Sequence, residues 1–315
     1  MSNLLQESAF REAIERVSPH IHNTPVFTSR LLNEISKTEL YFKCDNFQKG
    51  GSYKIRGATN AVLQLSEAEK ARGVVTHSSG NFAAALTLAA INLGVKAYIV
   101  MPENAPSVKR AAVEDYGAEI ITCPSTLKHR EAYTEKVIAE TGAVLVHPSN
   151  DGPVILGQAT MTAEFLIEIP NLEIIVCPIG GGGVGAGACI AAHHLSPACK
   201  IIGAEPENAS DAFQSMAAGE IVPSINPNTI ADGLRSQLGD QNFPILHKLL
   251  DQIILVTEDG IIEAMRLVWE RMKIIIEPSS AVTLAAILSK PKLFKGKKIG
   301  LIITGGNVSL NELPF

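Results

Sequence analysis

IIVCPIGGGGVGAGACIAAHHL, residues 174–195, passes from a β-branched run through a cluster of glycines into a helical pattern. The run IIVCPI (174–179) is continuously apolar, as a strand covered on both faces requires. In the centre, Ile179–Gly187, consecutive glycines let backbone N–H groups turn inward around an anion. The N-terminus of the helix that follows adds a favourable dipole. The stretch reads as a phosphate cradle. Four adjacent glycines would be a costly way to make a merely flexible turn, because glycine loses the most backbone entropy on folding.

The same unit recurs outward from this point. LYFKC (40–44), GVVTHS (73–78), AYIVM (97–101), EIITC (119–123), AVLVH (143–147), KIIGAE (200–205), IILVTE (253–258) and KIGLIIT (298–304) are further strand candidates. Helix-like stretches separate them, among them SEAEKARG (66–73) and EDGIIEAMRLVWERMK (258–273), the second acidic at its start and basic at its end. Strand–helix alternation predicts an α/β fold with parallel sheets flanked by helices and right-handed crossovers. In such sheets ligands gather beyond the carboxyl ends of the strands. Ser78, Ser79, the glycines from Gly180, Glu205, Gly305 and Gly306 all fall there.

Composition narrows the classes. The chain has 315 residues, 46% hydrophobic and 19% charged, enough for two α/β lobes. A net charge of -5, without a basic run, gives no general attraction to nucleic acid or anionic membrane. Phe82–Met101 is almost as apolar as a membrane span, but Asn92, Gly94 and Lys96 interrupt it; it reads as a buried helix followed by a strand. Five scattered cysteines (Cys44, Cys123, Cys177, Cys189, Cys199) without a Cys-x-x-Cys pair suit a reducing cytoplasm. The opening segment shows no export signal, so the expected location is cytoplasmic.

Three segments carry chemistry. Gly180, Gly182 and Gly185 satisfy G-x-G-x-x-G, and Glu205 ends the next strand 20 residues later, the layout of a dinucleotide site. A nicotinamide-dependent dehydrogenase is therefore one reading, although such a fingerprint usually opens the first βα unit rather than lying past mid-chain. The second segment is KGGSYKIRGA (49–58), in which Lys54 stands between glycine brackets. A desolvated lysine amine has a lowered pKa and forms a Schiff base with an aldehyde, whereas an isolated lysine is more often a solvated surface charge. The third is SSGNFAAALTLAA (78–90), where Ser78, Ser79 and Asn81 are expected to cap a helix whose N–H groups would hold a carboxylate. Schiff-base lysine, carboxylate nest and phosphate cradle together anchor an amino acid joined to pyridoxal phosphate.

SYKIRGA, THSSGN, GGGGVGAG, AEPENASD, LVWERMK, IIEPSSAV and ITGGN, in this order, resemble the fold-type II family of serine racemases and serine/threonine dehydratases, from about Asn23 to Asn307. The resemblance implies a two-lobed architecture like that of tryptophan synthase β. A large cofactor domain would comprise residues 1–72 and 149–315, and a small mobile domain residues 73–148. It also implies roles. Lys54 matches the Schiff-base lysine. Gly180, Gly181, Gly182 and Gly183 match the phosphate loop, with Gly233 also at the cofactor. Asn81 matches the residue at the cofactor's 3′-oxygen, and Thr304 the one at its pyridine nitrogen, with Glu277 nearby. Ser78, Asn81, Arg130 and Ser236 match substrate contacts, and Ser79 the proton donor opposite Lys54. Glu205, the carbonyl of Ala209 and Asp211 match a site for magnesium, calcium or manganese.

The implied activity is dehydration of serine or threonine with racemisation of serine, by a homodimer acting on a small amino acid. A β-hydroxyaspartate dehydratase would share every motif, and a non-catalytic relative would not need Lys54. Two departures stand out. Phe82 and Ala84 occupy positions where the family carries His and Gln. The loss of Gln weakens any expectation of nucleotide activation, and the loss of His alters which side chain fits.

Overall fold

The computed structural model describes residues 4–78, 80–105 and 107–315. Its strands are β1 (Val26–Thr28), β2 (Glu39–Cys44), β3 (Val74–His77), β4 (Ala97–Pro102), β5 (Glu119–Cys123), β6 (Val144–Leu145), β7 (Ile174–Pro178), β8 (Lys200–Pro206), β9 (Gln252–Val256) and β10 (Lys298–Ile303). They form a six-stranded sheet in the order β1-β2-β10-β7-β8-β9 and a four-stranded sheet in the order β5-β4-β3-β6. All neighbours run parallel except β1 and β2. The nine runs read from the sequence are all strands, though AVLVH contracts to two residues at the sheet edge. β1 was not expected: three residues of an antiparallel edge strand carry no periodicity to detect.

Continuous apolar character in the strands has the expected cause. In β7, Ile175 and Cys177 enter one core with helices Gly152–Glu168 and Gly183–Leu195, while Ile174 and Val176 enter a second core beneath helices Glu258–Met272 and Pro278–Ser289. Each face of the larger sheet is thus closed by helices. The apolar stretch Phe82–Met101 divides between helix Asn81–Asn92 and β4. Among the described residues, no helix is long and apolar enough to cross a membrane.

Two features fix helix Lys54–Leu63. The first is close approach. A Cβ on Gly157 would stand 2.6 Å from both the carbonyl oxygen of Arg56 and the Cα of Gly57, and one on Gly187 would stand 2.8 Å from the nitrogen of Ala159. Glycine at these crossings lets helices Lys54–Leu63, Gly152–Glu168 and Gly183–Leu195 pack backbone to backbone. The second is charge. Arg56, with no exposed surface, donates to Asp45 at 2.6 and 2.9 Å and to Glu164 at 2.7 and 2.8 Å. Lys43, equally buried, donates to Glu164 at 2.8 Å and to the Thr24 carbonyl at 2.7 Å.

The crossing is testable with one methyl group. Gly157→Ala forces carbon against backbone that cannot turn aside, so unfolding in denaturant should show a loss of about 1–3 kcal/mol. An unchanged midpoint would mean that the helices do not meet so closely.

Candidate active site

Lys54 begins its helix directly after a segment tied to the end of β10. Ser52 forms an isolated antiparallel bridge with Gly305, and the Tyr53 N–H donates to the Thr304 carbonyl at 2.9 Å. Gly50 and Gly51, both at φ +70°, make the turn that leads in. The Lys54 amine donates to the Pro148 carbonyl at 2.8 Å and lies 5.0 Å from the Tyr53 ring centroid and 5.7 Å from that of Phe82. Burial pulls its pKa down to about 8, against the charge of Glu277. A lysine held in this way is a usable nucleophile and base near neutral pH.

The glycine loop is pressed between two segments. A Cβ on Gly180 would stand 2.9 Å from Leu234 Cα, one on Gly181 would overlap Ser149 Oγ, and one on Gly183 would stand 2.9 Å from the Ser149 carbonyl oxygen. Gly182, at φ +90°, turns the chain into helix Gly183–Leu195. The Asn242 side chain donates to the carbonyls of Gly181 and Ser149, at 2.7 and 3.0 Å. The cradle is therefore bare backbone at a helix N-terminus, the donor set that suits a phosphate. Ser149 and Asn242 carry no motif that marks them in the sequence.

Asn81 does not cap its helix, contrary to the sequence expectation. It is the first helical residue, after Gly80 at the N-cap, and its amide donates to both Glu277 oxygens at 2.9 and 3.0 Å. The Ser78 hydroxyl accepts only the Gly80 N–H among the described residues, at 3.3 Å. Asn307 donates to Asn81 Oδ1 at 3.1 Å and to the Gly50 carbonyl at 2.9 Å. Burial raises the Glu277 pKa above the usual carboxylate range, while the Lys109 charge pulls the other way. Lys109 is also paired with Asp232. A cavity of about 260 Å³ opens here, lined by Gly50, Gly51, Gly80, Asn81, Lys109 and Asn307 among others.

Of the remaining candidates, Thr304 joins the Lys54 segment through its carbonyl and Gly233 lies against Gly180, while the others disperse. Thr304 is buried, with its hydroxyl 2.9 Å from that of Ser280. Arg130 lies in helix Leu127–Thr141, its Nε buried without a partner among the described residues, and its charge bears on His77. Ser236 is exposed on the loop after the turn Asp232–Leu234, and the Gly233 N–H donates to Ser279 Oγ at 3.0 Å. Ser79 lies outside the described residues. Glu205 accepts the N–H groups of Ala212 and Phe213 at 2.9 and 2.8 Å, so it caps helix Asp211–Ala218. Asp211 accepts the Leu238 N–H at 3.0 Å through Oδ2, and its Oδ1 is buried without a partner among the described residues. Ala209 is buried in the short turn between the two acids.

Residues 17–305 match the family model described as "Pyridoxal-phosphate dependent enzyme". The chain belongs to this family. It is 50% identical over 309 residues to a serine racemase of Dictyostelium discoideum, covering 96% of this chain and 95% of that one. A crystal structure of serine racemase from the same organism superposes with a TM-score of 0.92, covering 96% of this chain and 98% of that chain. It is also 46% identical over 303 residues to a β-hydroxyaspartate dehydratase of Paracoccus denitrificans, covering 96% of each. Family membership sets aside the dinucleotide reading.

His147, not foreseen, borders this site. Its Nδ1 accepts the N–H groups of Ser149 and Asn150, at 3.2 and 2.8 Å. Burial, with the charges of His77 and Lys54, pulls its pKa from 6.5 to about 4. The unfolded chain then binds this proton near pH 6.5 but the native state only near pH 4. The resulting stability is complete above pH 6.5 and lost as pH falls through 4. A proton NMR titration should find the His147 ring titrating near pH 4, and His147→Asn should flatten the fall in melting temperature over that window. Titration near 6.5 would refute the assignment.

Proposed function

We propose that this chain is a pyridoxal-phosphate-dependent racemase and dehydratase of small β-hydroxy amino acids, with serine as its substrate. The observation that carries the reading is the Lys54 amine. It is desolvated, brought down to about 8 and set against a carbonyl that follows the end of the four-stranded sheet. The cofactor, when bound, supplies a sink for the electrons left at the α-carbon. Everything else falls to the protein. Gly180–Gly183 would hold the phosphate by backbone N–H groups, Asn81 would meet the 3′-oxygen by turning its amide from Glu277, and Thr304 would meet the ring nitrogen. Ser78 and the N-terminus of helix Asn81–Asn92 take the substrate carboxylate, and Arg130 and Ser236 take its hydroxyl. Lys54 removes the α-proton on one face, and Ser79 returns one on the other.

Residues 73–148 act as a small domain that closes over substrate. Supporting this, Lys109 with Asp232 and Asn81 with Glu277 link the four-stranded sheet's helices to the rest of the chain. A divalent cation at Glu205, the Ala209 carbonyl and Asp211 fits the orphaned Asp211 Oδ1 and the hard oxygen donors. Exposed Phe27, Leu31, Ile35, Phe47 and Ile275 support a homodimer. The setting is cytoplasmic. A second reading, dehydration of β-hydroxyaspartate, is favoured by the unpartnered Arg130 Nε beside His77, a cationic contact for a second carboxylate.

Keto-acid release and enantiomer analysis on L- and D-serine, L-threonine and the hydroxyaspartates separate the two readings. Activity confined to hydroxyaspartate would overturn the first. Borohydride reduction of the holoenzyme should place the pyridoxyl group on Lys54, and labelling of another lysine would overturn the site. Ser79→Ala should abolish L-to-D conversion while L-serine dehydration persists. Racemisation at the wild-type rate would remove Ser79 from the mechanism. Chelator should lower the melting temperature, because a cation bound only to the native state stabilises it.

A further inference from the structure

The hydroxyl of Ser280 is fully buried and lies 2.9 Å from each of three atoms: the nitrogen of Gly305, the oxygen of Gly305 and Oγ1 of Thr304. A hydroxyl has one proton and two lone pairs, so these contacts constrain one another. The Gly305 N–H can only donate and occupies one lone pair. The Gly305 carbonyl can only accept, and the Thr304 hydroxyl can do either. Two proton arrangements follow. In the first, Ser280 donates to Gly305 and Thr304 donates to Ser280, which turns the Thr304 proton inward. In the second, Ser280 donates to Thr304, whose own proton is then free. The Gly305 carbonyl also accepts the Glu277 N–H at 3.0 Å, so the second arrangement strands no acceptor.

We propose that Ser280 is a positioning residue that holds the Thr304 hydroxyl as a donor toward the ring nitrogen of the cofactor; this rests on the reading that Thr304 faces that nitrogen. Burial disfavours a charged ring nitrogen unless an anion stands against it. The carboxylate in this neighbourhood, Glu277, has both oxygens on the Asn81 amide. A neutral ring nitrogen is an acceptor, and only the second arrangement offers it a proton. The consequence is a restrained electron sink, which suits elimination and reprotonation at the α-carbon and disfavours transfer of the amino group to the cofactor.

The test uses holoenzyme reconstituted with pyridoxal phosphate labelled with nitrogen-15 in the ring, whose NMR shift separates protonated, hydrogen-bonded and free nitrogen. Wild type should give the shift of a neutral, hydrogen-bonded nitrogen. Ser280→Ala should move it toward the value found in Thr304→Val and raise the yield of the aminated cofactor during turnover. Ser280→Cys, close in size but a weak donor, should move it the same way and serves if the alanine variant fails to fold. A wild-type shift in both Ser280 variants, with Thr304→Val displaced, would overturn the role of Ser280 and leave that of Thr304 standing. No displacement in Thr304→Val would show that the hydroxyl does not face the nitrogen, and the proposal would fall with that reading. A protonated nitrogen in wild type would overturn the proposal directly.

Discussion

Two residues beyond Lys54, the guanidinium of Arg56 is held away from solvent between Asp45 and Glu164, and Lys43 completes a cluster of two cations and two anions. Charges buried in this way add little net stability, because desolvation offsets most of their attraction. Their effect is on geometry: removing one partner leaves a buried charge, which costs about 3–5 kcal/mol. The cluster therefore tolerates one arrangement of the end of β2, the Lys54 helix and helix Gly152–Glu168. The glycine crossings demand the same arrangement from backbone contact alone. The Gly180 loop leads into the third helix of that stack, so the amine and the phosphate cradle inherit one frame.

This frame explains which parts of the molecule are legible in the sequence. Parallel strands buried on both faces leave continuous apolar runs, and all nine such runs are strands. The glycine loop is equally visible, because the constraint acts at the glycines themselves: Gly180, Gly181 and Gly183 have no room for a Cβ and Gly182 has a positive φ. Lys54 was legible through its glycine brackets and through resemblance.

The unread features are those whose partner is remote in sequence. Asn81 was expected to cap its own helix, since a short polar side chain at a helix start usually does so. Instead it reaches Glu277, 196 positions away. Ser280 lay in view within EPSS, but only its meeting with Thr304 and Gly305 distinguishes it from any other serine in the first turn of a helix. Ser149 and Asn242 brace the glycine loop from segments that carry no pattern. Lys109 and Asp232 meet from helix Ser107–Asp115 and the turn Asp232–Leu234, and each alone is an ordinary surface charge.

The displacement of Asn81 has a functional consequence. With its amide committed to Glu277 and Gly80 at the N-cap, no described side chain satisfies the first N–H groups of helix Asn81–Asn92. A helix end left open in this way normally loses about 1 kcal/mol relative to a capped one. Here the open end borders a cavity, with Lys109 close to Gly80, so the positive end of the helix dipole faces that cavity. The Asn81–Glu277 contact, reinforced by Asn307, holds that end against the segments that carry Lys54 and Thr304. The start of helix Asn81–Asn92 and the segments of Lys54 and Thr304 therefore share one hydrogen-bonded joint, so a shift of that helix would be felt beside the amine.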